Sequence, residues 1–211
     1  AFLLIGLTSA SAYWDFAQIL ESVGQRYGPL GLEERRIVAW SQMLQGERNA
    51  PEGEQLNAVN RFFNQQLNFQ DDSRVWHQAD YWATPAESLI KGAADCEDYA
   101  LAKYFSLRQL GIPSEKLRIT YVKALTRNQA HMVLTFYSSP AADPLVLDNL
   151  VSDIRPASQR KDLLPVYAFN AEGLYLPGAK GGNRSSDSKK LSRWQDVLKK
   201  MQAEGFSVGN G

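Results

Sequence analysis

The spacing of apolar residues changes once along this chain, at residues 111–113, and this change restricts the fold class more than any other feature. Before it, from 14 to 67 and again after 96, apolar side chains recur three or four positions apart, which predicts amphipathic helices. After the Gly-Ile-Pro terminator, β-branched and aromatic runs bounded by turn residues predict strands at 117–124, 130–137, 144–150 and 165–169. Helices followed by antiparallel strands indicate an α+β fold, with a helical N-terminal half packed on the sheet.

Two further segments complete the predicted organisation of the chain. Residues 69–91 show little periodicity and are predicted to form an ordered loop with a short helical turn before Gly92. Residues 178–188 are rich in Gly, Ser and Lys, which predicts a mobile surface loop, and an amphipathic helix is expected over 190–203. The length of 211 residues favours one domain, over 13–211.

The first twelve residues predict export. An apolar run is followed by Ala10-Ser11-Ala12, a small-x-small pattern typical of the end of a secretory signal, and the alternative is an apolar first helix of the fold. The chain has 23 basic and 23 acidic residues, so its net charge favours neither nucleic acid nor an anionic membrane. We therefore expect a soluble periplasmic protein.

An exported chain with a single cysteine needs an explanation for that thiol, because one cysteine cannot form an internal disulfide. Cys96 follows small residues and begins a predicted helix, with Asp95 and Asp98 at the N-cap and first-turn positions. The positive end of a helix dipole favours a thiolate, and the Cys96 N–H is placed to hold an oxyanion. The alternative is an inert, buried cysteine.

Two later positions supply partners for such a nucleophile. His131, one of two histidines, opens an apolar strand, and Asp148 closes the next apolar run. Neighbouring strands would bring the carboxylate to one ring nitrogen and leave the other for the thiol, as in a Cys-His-Asp triad. The sequence therefore predicts a cysteine hydrolase.

The motifs around these residues resemble those of the bacterial transglutaminase-like cysteine proteinases, and within that family the periplasmic LapG proteases. The resemblance covers most of the chain after residue 12, and it rests on residues 81–87, 95–100, 129–133 and 147–149. It implies a papain-like, transglutaminase-like fold in which Cys96, His131 and Asp148 take the three catalytic roles.

The resemblance also implies calcium, bound by acidic residues that flank the cysteine. These are Asp95 and Glu97 here, with Asp98 as a further candidate, and carboxylates are the hard oxygen ligands that Ca²⁺ prefers. A bound cation would offset the repulsion between these carboxylates and the thiolate. The alternative is helix capping by Asp95 and Asp98 with a solvated Glu97.

Substrate and partners are likewise implied by the resemblance. Such proteases cut a large surface adhesin near its N-terminus and so control biofilm release, and a LapD-type inner-membrane receptor for cyclic-di-GMP sequesters them. Two rival functions remain: an acyl-transferring enzyme of the transglutaminase class, and a noncatalytic, calcium-stabilised binding module. Trp82 is a candidate oxyanion donor that we leave outside the predicted triad.

Overall fold

The computed structural model of the protein describes residues 13–176, 184–186, 191–209 and 211. The predicted signal remnant, 1–12, lies outside the described residues. The helices are α1 (Phe16–Tyr27), α2 (Leu32–Glu47), α3 (Glu52–Gln66), α4 (Asp72–Val75), α5 (Pro85–Lys91), α6 (Cys96–Gln109) and α7 (Ser192–Ala203).

Helix α6 lies at the centre of the molecule. Eleven of its residues are buried, on every face of the helix, as expected for a core helix. It packs against α3 and α5 on one side and against the sheet on the other. The N-terminal end of α6, which carries Cys96, is therefore held by both layers of the fold.

The strands after α6 form one antiparallel sheet of seven described strands, in the order β6-β5-β4-β3-β7-β8-β9. Their bounds are β3 (Leu117–Ala124), β4 (Gln129–Phe136), β5 (Leu145–Leu147), β6 (Arg155–Pro156), β7 (Leu163–Asn170), β8 (Gly173–Tyr175) and β9 (Arg184–Ser186). The α+β fold class and the four predicted strands are confirmed. The short strands β6, β8 and β9 were not predicted, because two or three residues give no measurable alternation.

A separate two-stranded sheet forms in the segment before α6. Strand β1 (Asn68–Phe69) pairs in parallel with β2 (Ala93–Ala94), and the Gln70 N–H continues the pairing by donating to the Ala94 carbonyl at 3.0 Å. This pairing lays residues 70–72 beside the start of α6. The intervening chain contains α5, which begins with a capping box between Thr84 and Glu87 and is the short helix predicted before Gly92.

The C-terminal part returns to the helical layer. The structure has α7 where the sequence predicts a last amphipathic helix, and Trp194 on its buried face stacks against Phe105 of α6 at 5.4 Å. Most of the predicted surface loop, 178–188, lies outside the described residues, and the part that is described forms edge strand β9 instead of loop. None of the described helices is long and apolar enough to cross a bilayer.

Candidate active site

Cys96 is the first residue of α6, as the sequence predicts. Its N-cap residue, Asp95, makes no side-chain capping bond, so the capping alternative for Asp95 does not hold. The Cys96 Sγ lies 3.1 Å from Glu97 Oε2 and accepts a hydrogen bond from the Met132 N–H. Burial raises the pKa of this thiol, the charges of Glu97 and Asp95 raise it further, and the Met132 N–H acts in the opposite direction.

His131 and Asp148 are brought together by the paired strands β4 and β5. His131 is the third residue of β4, and Asp148 directly follows β5, which pairs with β4 through Leu134 and Leu147. His131 Nε2 lies 2.8 Å from Asp148 Oδ1, and both side chains are almost fully buried. Because Nε2 is occupied, Nδ1 is the ring nitrogen left for a thiol.

Asp148 is stabilised in its charged form. Burial acts to raise its pKa, but the hydrogen bond and charge of His131, the Leu150 N–H and Arg160 together lower it to about 2. Asn64 of α3 fixes the backbone at the same point, because its side-chain amide donates to the Asp148 carbonyl at 2.8 Å. The carboxylate is therefore an ionised, rigidly held partner for the imidazole.

Cys96 and His131 open into one surface cleft of about 310 Å³. Trp82 forms part of its wall, and the stacked rings of Tyr121 and Tyr167, 5.0 Å apart, form another. An aromatic groove beside a thiol and an imidazole is suited to an extended peptide, whose side chains need apolar contacts on either side of the reacting bond.

A group of three carboxylates stands beside the thiol. One ligand oxygen from each of Asp72, Asp95 and Glu97 lies within 4.8 Å of the others. Burial, with the negative charges of the neighbouring carboxylates, raises the pKa of Asp95 to about 10. Among the described residues, Asp72 Oδ1 and Asp95 Oδ1 are buried without a hydrogen-bond partner, so the group has the oxygen atoms and the charge to hold a hard cation.

Asp98, the further candidate from sequence, lies outside the group of three carboxylates, although its Oδ2 is also buried without a hydrogen-bond partner among the described residues. Its side chain is buried and accepts the Ala83 N–H at 2.7 Å, which ties the segment that carries Trp82 to the start of α6. Asp72 is the third member of the carboxylate group, with Asp95 and Glu97. It also accepts the Tyr81 N–H, so it orders the same segment from the other side.

Two residues of the site were missed by the sequence analysis, Asp72 and Arg160. Asp72 lies 24 positions before Cys96 and reaches it through the β1–β2 pairing, which is too short to predict. Arg160 lies 12 positions after Asp148 and donates to its Oδ2 at 2.7 Å. A cationic partner for Asp148 could have been expected in general terms, because a buried carboxylate must be paired, but the sequence did not indicate which residue supplies it.

The sequence matches a known protein family over residues 39–162, described as bacterial transglutaminase-like cysteine proteinase BTLCP. This span contains Cys96, His131 and Asp148 as well as the three clustered carboxylates. No curated protein sequence matches the chain at a significant level.

Solved structures of Legionella pneumophila LapG resemble the chain over nearly its whole described length. One has 43% sequence identity and a TM-score of 0.76, covering 90% of this chain and 98% of that chain. An EGTA-treated form has 43% identity and a TM-score of 0.79, with the same coverage. A calcium-bound form has 44% identity and a TM-score of 0.75, covering 89% of this chain and 99% of that one. The chain belongs to the bacterial transglutaminase-like cysteine proteinases.

Proposed function

We propose that this protein is a calcium-dependent periplasmic cysteine endopeptidase that cuts a large cell-surface adhesin near its N-terminus and thereby controls biofilm release. The observation that carries the proposal is the arrangement of Cys96, His131 and Asp148. The thiol and imidazole open into one cleft, and the imidazole is hydrogen-bonded to a buried, ionised carboxylate. Family membership supports the protease chemistry.

In the proposed reaction, His131 removes the thiol proton and the Cys96 sulfur attacks the carbonyl carbon of the scissile peptide bond. The oxyanion of the tetrahedral intermediate accepts the Cys96 N–H, one of the first N–H groups of α6, which have no acceptor within the helix. His131 returns the proton to the departing amine, which leaves a thioester on Cys96. Water, deprotonated by His131, then hydrolyses the thioester and restores the thiol.

Calcium fits the carboxylate group on three counts. The oxygen separations of up to 4.8 Å match one ion at Ca–O distances of about 2.4 Å. Asp72 and Asp95 each have a buried oxygen with no hydrogen-bond partner in the described part of the chain. Bound Ca²⁺ would supply positive charge beside the thiol, which opposes the effect of Glu97 and Asp95 on its pKa. The remaining ligands of a coordination shell of about six to eight would have to come from backbone oxygens or water.

The calcium-bound and EGTA-treated structures of the Legionella protein support this metal assignment. The adhesin substrate, a periplasmic location and sequestration by a LapD-type cyclic-di-GMP receptor extend the proposal through the likeness to LapG. The aromatic cleft, open to the surface and lined by Tyr121 and Tyr167, is compatible with a peptide segment of a large protein.

The test is cleavage of N-terminal adhesin fragments by the purified protein, followed on gels with Ca²⁺ or with excess EGTA. We expect cleavage by the wild type with Ca²⁺, loss of cleavage in EGTA with retained helical circular dichroism, and recovery on adding Ca²⁺ back. Cys96→Ala should be inactive in both conditions. Cleavage by Cys96→Ala, or full activity in EGTA, would contradict the proposed nucleophile or the proposed metal respectively.

Two added measurements address the rival functions. Incorporation of a labelled primary amine into the fragment would favour acyl transfer over hydrolysis, since both reactions pass through the thioester. The rate of Cys96 alkylation near neutral pH tests the binding-module alternative: rapid alkylation of the calcium-loaded protein is expected of a protease, and a thiol that resists alkylation is expected of a module.

A further inference from the structure

Arg160 lies behind the predicted catalytic aspartate, in the turn that leads into β7. Its side chain is only 4% exposed. Nη2 donates to Asp148 Oδ2 at 2.7 Å, and the same nitrogen lies 2.8 Å from Asp162 Oδ2. Nε donates to Asp162 Oδ1 at 3.0 Å, so Asp162 holds the guanidinium by two parallel hydrogen bonds. The guanidinium therefore has a fixed orientation before it meets Asp148.

The other contacts of Asp148 show what Arg160 adds. Oδ1 accepts His131 Nε2 at 2.8 Å and the Leu150 N–H at 3.0 Å, whereas Oδ2 accepts Arg160. A carboxylate that is bonded on one oxygen can still rotate about its Cβ–Cγ bond. With its second oxygen bonded to a rigid donor, rotation would break bonds on both sides, and the plane of the carboxylate is fixed.

A second buried cation stands near Asp148 but does not replace Arg160. Lys103 of α6 is almost fully buried, and its Nζ has no hydrogen-bond partner among the described residues. Burial lowers the pKa of Lys103 to about 7, although the charge of Asp148 acts to raise it. A guanidinium keeps its charge at any pH at which a protein is folded. Arg160 is thus the permanent cation that is bonded to Asp148.

We propose that Arg160, oriented by Asp162, is a positioning residue that fixes the plane of the Asp148 carboxylate and through it the orientation of the His131 ring. The inference rests on the proposed function for its catalytic consequence. Its structural content, an ordered hydrogen bond between His131 and Asp148, does not depend on which substrate is cut.

Side-chain chemistry predicts how substitutions at 160 should differ. Lysine keeps the charge, but a single Nζ cannot reproduce the flat, forked set of donors that joins both carboxylates. Methionine keeps much of the length and loses every donor. Asp162→Asn keeps Arg160 and Asp148 and weakens only the support of the guanidinium, so it serves as the milder variant if Arg160→Met fails to fold.

The experiment combines kinetics with an NMR signal. We expect Arg160→Met to lower kcat on an adhesin fragment about 100-fold, the effect of misplacing a catalytic group by about 1 Å. KM should stay within about twofold, because Arg160 does not line the cleft. Arg160→Lys and Asp162→Asn should lie between this variant and the wild type. The matched control is Arg155→Met, whose ion pair with Asp153 at 3.1 Å is exposed, and its kcat should be that of the wild type.

The ring N–H of His131 gives a readout that needs no substrate. The chain has only two histidines, His77 and His131, so the signal is assigned with one variant, His77→Gln. A protected low-field N–H is expected in the wild type and in Arg155→Met, and it should be lost in Arg160→Met. Retention of both the signal and the wild-type kcat in folded Arg160→Met would overturn the inference. If the wild type cuts no substrate while the signal still depends on Arg160, the proposed function fails and the positioning role stands.

Discussion

Two carboxylates lie next to residues that line the cleft, and their surroundings are opposite in sign: Asp148 contacts His131, and Asp95 directly precedes Cys96. Asp148 is contacted by His131, Arg160 and a backbone N–H, and its pKa falls to about 2. Asp95 is contacted by other acids, and burial together with their charge raises its pKa to about 10. The same chemical group is thus stabilised as an anion at position 148 and destabilised as an anion at position 95.

The difference shows which part of the site is complete in the polypeptide. The chain supplies a cation, Arg160, and further hydrogen-bond partners for Asp148, so this carboxylate needs nothing from outside. Around Asp95 the chain supplies Asp72 and Glu97, and buried oxygens of Asp72 and Asp95 have no partner among the residues that the structure describes. A buried anion without a partner is strongly unfavourable, so the second group requires a proton or an added cation. A metal dependence of this protein should therefore arise entirely from the Asp95 side.

Asp148→Asn tests the carboxylate whose partners are all supplied by the chain, and it should have the largest effect on activity. The amide cannot hold the imidazole in the same protonation state, and loss of the corresponding charge in a serine protease lowers kcat about 10⁴-fold. The folded protein would also lose the stabilisation of the Asp148 charge, about 2 kcal/mol of unfolding free energy, while Arg160 keeps its two hydrogen bonds to Asp162. Calcium affinity should not change. Fragment cleavage, urea unfolding and calcium titration measure the three quantities, and weakened calcium binding would show that Asp148 and the acidic group around Asp95 are coupled.

Asp72→Asn tests the acidic group around Asp95. Whether this substitution raises or lowers Tm should depend on whether calcium is bound. In EGTA the variant removes one of three mutually repelling carboxylates, so its Tm should exceed that of the wild type. In saturating Ca²⁺ the wild type gains about 2.7 kcal/mol at a concentration 100 times its Kd, and the variant gains less. The Tm order of the two proteins should therefore reverse.

Asp71→Asn provides the control for this reversal. Asp71 is exposed and makes no side-chain capping bond, so its neutralisation alters net charge equally without touching the carboxylate group. Its Tm should follow that of the wild type in both buffers. An Asp72→Asn variant that is less stable than the wild type with and without Ca²⁺ would mean that its hydrogen bond to Tyr81 outweighs the repulsion.

The sequence predicted the residues that lie at the ends of regular elements. Cys96 begins a long helix, and Asp148 ends a strand, so terminators and periodicity located both, and the sheet then brought Asp148 to His131. The strand of His131 begins one residue earlier than the predicted 130–137, because the register with β3 extends to Ala124 and Gln129. Local sequence patterns were sufficient to locate these residues, because periodicity and terminators mark where a helix or strand begins and ends.

Residues that reach the site from irregular segments were not predicted. Asp72 depends on a parallel pairing of two residues, and Arg160 follows a single 3₁₀ turn at Ala157–Gln159. Neither segment has a period that a sequence pattern can reveal. Asp98 was a candidate because of its position beside the cysteine. Its Oδ1 accepts the Ala83 N–H, its Oδ2 has no hydrogen-bond partner among the described residues, and its role as a metal ligand stays a prediction.

The smallest expected effect is a pH dependence that isolates Asp148. Its pKa is about 2 in the folded protein and 3.8 without the fold, so the folded state favours the ionised form. The stabilisation is fully present above about pH 5, and it is lost as the pH falls through the folded value. A difference of nearly two pH units corresponds to about 2 kcal/mol.

The measurement is the unfolding free energy of the calcium-free wild type and of Asp148→Asn between pH 5 and 2. Other titrating groups, including the Asp95 side, are common to both proteins and cancel in the difference. The advantage of the wild type should shrink by about 2 kcal/mol as the pH falls, because only the wild type must protonate Asp148. An advantage that stays constant would mean that Asp148 is not held as an anion by His131 and Arg160. The contrast between Asp148 and Asp95 would then lose its physical basis.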